Sequence, residues 1–262
     1  MTRKIVILGA GNVATHITKA LIKEGYNICQ IYSRTIESAR ELGLKTGVHY
    51  TNEISEIYKE ADIYLFALSD TAILPMAKKI LFKNNPLIMH TAGAVSIDVL
   101  EDCSKNYAVL YPLQTFSKSR EINFKEVPLC IDANNNNNLK QIEQIANSLS
   151  SKIYKMGDDE RRQLHLAAVF ACNFTNYMYS LAEDILDKQN IDFNIIKPLI
   201  EETASKVMDL SPKRAQTGPA IRNDKSTILK HKELLGNDND VKKLYTFISN
   251  NILKFKDKDG IF

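Results

Sequence analysis

The stretch KIVILGAGNVATHITKAL, residues 4–21, constrains this chain more than any other. A short apolar run enters Gly9-Ala10-Gly11-Asn12-Val13-Ala14, and an amphipathic helical pattern leaves it. A GxGxxA turn between a strand and a helix reads as the phosphate turn of a dinucleotide fold. Gly9 permits the tight turn, Gly11 lets a pyrophosphate approach the backbone, and Ala14 keeps the helix close to the sheet. The diphosphate is expected against the backbone of Ala10 to Val13, at the positive end of the helix 12–24. The competing reading is an ordinary strand–turn–helix with a convenient glycine pair.

The next strand decides which dinucleotide. NAD binders place an Asp or Glu about 20 residues after the turn, on the ribose 2′-OH. Here the second strand ends in IYSRT, residues 31–35, with Ser33, Arg34 and Thr35 and no carboxylate. A guanidinium and two hydroxyls suit a 2′-phosphate. A charged hydrogen bond is worth about 1.5–3 kcal/mol, roughly ten- to over a hundredfold in affinity. The expectation is NADP(H) over NAD(H). Arg34 could instead be a solvated residue at a helix start.

Further apolar runs follow at 27–33, 61–68, 85–90, 107–112 and 127–132, with SKIYKMG (151–157) as a final strand. Most are continuously apolar, as in a parallel sheet covered on both faces. Helical patterns at 12–24, 35–43, 71–82 and 139–150 lie between them, and NNNNN (134–138) reads as a solvated loop. This predicts an α/β N-terminal Rossmann domain, doubly wound and mainly parallel, over residues 1–157. Residues 158–189 then carry two adjacent apolar stripes without Gly or Pro, predicting one long helix with a wide buried face. Helical patterns recur at 193–209, 224–235 and 239–255, with Asp224 and Asp238 as N-caps, and Pro198 marks a helix start or a kink. Residues 158–262 therefore read as an all-α domain, with the tail KFKDKDGIF frayed.

Net charge is +3, and the basic residues are spread along the whole chain. That offers no footprint for nucleic acid or a membrane. Cys29, Cys103, Cys130 and Cys172 form no CxxC pair, which argues against a metal site and for free thiols in a reducing compartment. With no long apolar segment either, a cytoplasmic location is expected.

Ligands of open α/β sheets bind beyond the carboxyl ends of strands. Leu68 and Ser69 are expected to line the cofactor cleft, close to Asp70 and Thr71. His90, Thr91 and Gly93 follow the next strand, and Tyr111, Gln114 and Thr115 the one after. His90 reads as a proton donor, or as a residue that bonds the loop backbone. On the long helix His165 and Asn173 are eight residues apart, about 12 Å along the axis and ~80° around it. They share a broad face without both reaching one atom. Asn173 reads equally as a satisfied core amide or a ligand contact.

Taken together, GAGNVATH, SRT, LFALSD, HTAGAVSIDVL, YPLQTFS, HLAAVFACNFTNYMY and TGPAIRNDKSTILKHKELL resemble one family. It comprises Rossmann-like proteins carrying the helical domain of unknown function 2520, often labelled NADP oxidoreductases. The resemblance covers about residues 3–253. More distantly the plan is similar to pyrroline-5-carboxylate reductase, prephenate dehydrogenase and the 6-phosphogluconate and β-hydroxyacid dehydrogenases. It implies a homodimer through the helical domain and a substrate contact at Asn173. Those β-hydroxyacid dehydrogenases carry a catalytic lysine one turn earlier, where this chain has Val169. Arg222, in TGPAIRND, could anchor a substrate carboxylate or pair with Asp224. The leading reading is hydride transfer to or from a small carboxylate-bearing carbonyl or imine, with His90, Asn173 and Arg222 as the expected catalytic contacts to substrate. The rival reading is a non-catalytic NADP-binding sensor or partner protein.

Overall fold

The computed structural model describes residues 3–259. The chain divides into two compact units, Met1–Phe174 and Thr175–Phe262.

The first unit is built on one eight-stranded sheet. Its strands are β1 (Lys4–Leu8), β2 (Asn27–Tyr32), β3 (Tyr50–Thr51), β4 (Ile63–Phe66), β5 (Leu87–His90), β6 (Asn106–Pro112), β7 (Leu129–Ala133) and β8 (Ile153–Lys155). They lie in the order β3-β2-β1-β4-β5-β6-β7-β8, parallel except for β6–β7. The order reverses at β1, so a crevice opens beyond the ends of β1 and β4. All seven strands expected from the sequence form. β3 is new, and two residues are too few for a periodic pattern.

The central strands β1, β4 and β5 are nearly all apolar because the sheet has two covered faces. Ile5 and Ile7 pack with Ala14, Ile17 and Leu21 of α1 (Asn12–Lys23), with Leu42 of α2 (Ile36–Thr46), and with Ile142 and Ile145 of α4 (Asn136–Leu149). Val6 and Leu8 pack instead with Ile73, Met76 and Ala77 of α3 (Ile73–Ala77). That third helix is much shorter than the expected 71–82. The asparagine run is not the solvated loop expected. Asn135 Oδ1 caps α4 by accepting from Asn138 N–H at 2.9 Å. The buried Asn138 amide donates to Asn134 Oδ1 at 2.8 Å and Asn106 Oδ1 at 3.2 Å.

After β8 the first unit ends in α5 (Asp158–Ala168) and a π-turn, Val169–Phe174. The expected boundary at 157/158 marks the end of the sheet, whereas the compact units part at 174/175. The wide buried face expected over 158–189 is not found: none of the stripe residues is buried. Leu164, Ala167, Ala168 and Ala171 line a cavity instead, and Phe170, Phe174 and Tyr177 are exposed.

The second unit contains α6 (Thr175–Asp187), α7 (Lys197–Asp209), α8 (Pro212–Ala215), α9 (Lys225–Leu234) and α10 (Asn239–Asp259). Asp224 Oδ1 accepts from Thr227 N–H at 3.0 Å, and Asp238 Oδ1 from Val241 N–H at 3.1 Å. Both caps are as expected. Pro198 lies in the first turn of α7, where its missing N–H costs nothing. Of the tail read as frayed, the backbone is helical to Asp259, and residues 260–262 lie outside the described residues. No helix among the described residues is long and apolar enough to cross a membrane.

Candidate active site

Gly9 adopts φ +124°, and a Cβ there would stand 2.2 Å from the Ala67 carbonyl oxygen. Only glycine fits. Its N–H donates to Tyr32 O at 2.7 Å, so the turn is wedged between the ends of β2 and β4. Gly11 is the opposite case: a Cβ there would meet nothing within 4 Å. Gly11 is also the N-cap of α1 and offers no side-chain cap to the helix. The helix therefore begins with uncapped amides beneath open space, which is what an anion needs. These residues fit the diphosphate of a dinucleotide.

The open space belongs to a cavity of about 920 Å³. It runs from Gly11, Asn12 and Val13, past Leu68 and Ser69 beyond β4 and Thr91–Gly93 beyond β5. It reaches Tyr111, Gln114 and Thr115 beyond β6, and His165 and Asn173 on the helix after β8. Asn12 Oδ1 is held by Lys118 N–H at 3.3 Å, from the loop that follows β6.

At one wall Tyr111 Oη and His165 Nδ1 are 2.9 Å apart, their rings edge-on at 70°. Gly93 lies against both, for a Cβ there would stand 2.8 Å from His165 Nδ1 and from Tyr111 Cζ. Burial pushes the Tyr111 phenol up to about 12; Cys130, Asp70 and Cys172 add to the effect and Arg161 opposes it. One turn before His165, Arg161 is fully buried. Its Nη2 donates to Val95 O at 2.6 Å and to Asp158 Oδ1, and Asp132 stands 3.9 Å from Nη1. Asp158 also accepts from Ile97 N–H at 3.1 Å. This buried ion pair fixes α5 against β7 and the loop after β5, and with it the position of His165.

Comparison with known proteins gives the frame a family. A model described as NADP oxidoreductase coenzyme F420-dependent matches residues 4–93, and the domain of unknown function 2520 matches residues 127–252. Among solved structures, the putative NADP oxidoreductase BF3122 of Bacteroides fragilis is 44% identical, over 97% of this chain and 98% of that one, with a TM-score of 0.93. This chain belongs to that family of NADP oxidoreductases. The family's cofactor is NADP(H). A reductive aminase of Aspergillus terreus, solved with NADPH and ethyl-5-oxohexanoate, shares the fold at 14% identity, over 98% of this chain and 99% of its own, with a TM-score of 0.68. The L-aspartate dehydrogenase of Methanococcus maripaludis is 29% identical over 97 residues, 36% of each chain. The chain thus spans about a third of the length of the curated relatives it matches.

Within this oxidoreductase fold the expected site residues separate. Gly11, Asn12, Val13, Leu68, Ser69 and Asn173 line the cavity. Gly9 and Ala10 shape the turn beneath it, and Ala10 is buried. Ser33 is buried at the end of β2, while Arg34 and Thr35 are exposed and lie outside the cavity wall. Thr35 Oγ1 donates to Ser38 Oγ at 2.9 Å, and Arg34 has no ion pair among the described residues. His90 is fully buried and does not line the cavity. Its Nδ1 accepts from Ala92 N–H at 3.2 Å, the loop-bonding alternative, and burial pushes its pKa down to about 4. Arg222 is exposed in the helical unit, and no ion pair within 4 Å joins it to Asp224. The Tyr111–His165 bond went unread because its partners are 54 residues apart in the chain.

Proposed function

We propose that this protein is an NADP(H)-dependent oxidoreductase acting on a small imine or carbonyl compound. One observation carries the reading: a single cavity begins at the uncapped end of α1 and ends at a polar, aromatic wall. When bound, NADPH supplies a hydride to the carbon of a C=N or C=O bond. Gly11, Asn12 and Val13 hold the diphosphate by backbone N–H groups. Ser33, Arg34 and Thr35 stand at the end of β2, where the adenosine 2′-phosphate of this fold is read. Leu68 and Ser69 pack along the middle of the cofactor, and the Asn173 amide bonds a polar group of the substrate. His90 positions the Thr91–Gly93 loop. Among the described residues Asp70 is the single carboxylate of the cavity wall, and no lysine or arginine lines it. The field therefore favours an iminium or a neutral carbonyl over a carboxylate at this wall.

Calorimetry with NADPH and NADH tests the cofactor site. Loss of NADPH absorbance with a panel of oxo acids, aldehydes and cyclic imines tests the reaction. NADPH binding without turnover on any member favours the sensor reading, which Val169 and the lysine-free wall support. No NADPH binding sinks both.

A second copy of the chain is proposed to cover the apolar side chains of the helical unit, of which Met208 is 80% and Phe247 68% exposed. Light scattering at a monomer mass would refute that. The four free cysteines suit a reducing compartment, and the proposed location is the cytoplasm.

A further inference from the structure

Reducing a C=N or C=O bond takes a proton as well as a hydride. The question of its source rests on the reading above. The titratable side chains of the cavity wall are Asp70, Tyr111, His165 and Cys172. The helix position where related dehydrogenases keep a lysine is Val169, itself part of that wall. Asp70 and Cys172 are exposed and make no side-chain hydrogen bond among the described residues. Tyr111 and His165 are bonded to each other and packed on Gly93.

We propose that Tyr111 and His165 are the catalytic proton-transfer pair of this enzyme. The pair keeps one donor free in either tautomer. If Tyr111 O–H donates to Nδ1, the His165 proton is on Nε2, which has no partner among the described residues. If Nδ1–H donates to Oη, the phenol hydrogen is free. As the substrate carbon gains the hydride of NADPH, the C=N or C=O π pair becomes a lone pair on nitrogen or oxygen. That lone pair takes the proton of the pair, the substrate is reduced and NADPH is oxidised to NADP+. His165 is half-exposed, so solvent returns the proton through its ring. In the reverse direction the same imidazole accepts it.

The geometry is built from outside the cavity. Arg161 seats α5 by its bonds to Val95 and Asp158, and His165 lies four residues on, on the same helix face. Gly93 leaves the room that the two rings fill.

The test uses Tyr111→Phe, His165→Asn and His165→Gln in the full chain, each checked for folding by thermal melting. NADPH dissociation constants stay within about twofold of wild type in all three, since none touches the turn. A wild type that fails to bind NADPH would refute the proposed function and leave the pair to the next measurement. That measurement is the ¹⁵N spectrum of labelled histidine in the cofactor-free protein, with His165 assigned by its loss in His165→Gln. Tyr111→Phe is expected to move the Nδ1 resonance and the tautomer balance; an unmoved resonance overturns the pair. For whichever panel compound is reduced, Tyr111→Phe and His165→Gln lower kcat by about 10²–10⁴-fold with little change in KM. His165→Asn keeps a partner for Tyr111 but no titrating nitrogen, so it loses kcat equally. Wild-type kcat in Tyr111→Phe or His165→Gln overturns the proposal. If NADPH binds and no panel compound is reduced, the catalytic role is overturned and the Nδ1 shift reports a structural bond alone.

Discussion

His90 makes the fold acid-sensitive in a calculable way. It ends β5 fully buried, with Nδ1 accepting from Ala92 N–H at 3.2 Å and Nε2 without a hydrogen bond of good geometry. Desolvation, and then the charge of Arg161, push its pKa down to about 4, while the Ser96 backbone opposes the shift. An unfolded chain returns it to about 6.5. Between those values the unfolded state binds more protons than the folded one, so stability falls as pH is lowered through the window. Integrating the linkage gives a loss of about 2 kcal/mol between pH 7 and pH 5, and about 3 kcal/mol by pH 4. Above pH 7 the term is absent. His90→Asn keeps an acceptor near the Ala92 N–H and removes the titration. Urea unfolding of both proteins at several pH values should show wild type losing about 2 kcal/mol more than the variant between pH 7 and pH 5. Parallel curves, or a His90 ring proton titrating near 6.5 by NMR, would refute the assignment of this shift to burial.

Other consequences can be read by simpler assays. Arg34→Ala should weaken NADPH binding by roughly ten- to a hundredfold and leave NADH unchanged, as measured by calorimetry; equal effects on both cofactors would remove Arg34 from the 2′-phosphate. Gly93→Ala places a methyl 2.8 Å from both His165 Nδ1 and Tyr111 Cζ. Overpacking of that kind costs about 1–3 kcal/mol, so thermal melting should fall and turnover with it, while the NADPH dissociation constant holds. Cys172 is exposed on the cavity wall, whereas Cys130 is buried with its thiol pushed up to about 11. N-ethylmaleimide should therefore label Cys172 first at neutral pH, and NADP+ should slow it; mass spectrometry showing another cysteine labelled first would contradict the cavity assignment.

The parts of this molecule that sequence reveals are those whose causes are local. Ile63 to Phe66 are all buried, so β4 reads as an unbroken apolar run. Gly9 is demanded by one backbone angle and one nearby carbonyl, and both follow from the strand–turn–helix itself. In the asparagine run a helix cap and a solvated loop share a composition. Asn138 is distinguished only by Asn106, from a strand about thirty residues earlier. His90 was legible as a strand-end residue, but not its depth, because burial there depends on Arg161 and the loop after β5 arriving from elsewhere in the chain.

The helix after β8 shows how local geometry can alter a site without leaving a mark in the hydrophobic pattern. An ideal α-helix puts His165 and Asn173 ~80° apart, since eight residues turn about 800°. Asn173 itself lies inside the π-turn at Val169–Phe174. A π-turn spans i→i+5 and absorbs one residue, so Asn173 stands where the seventh residue would, within about 20° of two full turns. Both side chains then face the same cavity, and both line it. The apolar stripes of this segment follow a period of three and four, which the turn interrupts. Ala167, Ala168 and Ala171, read as core, are instead the small residues that leave the cavity its width beside the two polar ones. A variant that inserts one residue between Leu166 and Ala167, ahead of the π-turn, would carry Asn173 about 100° further round the helix. The chemistry assigned to this wall requires that such an insertion abolish turnover while the glycine turn after β1 still binds NADPH.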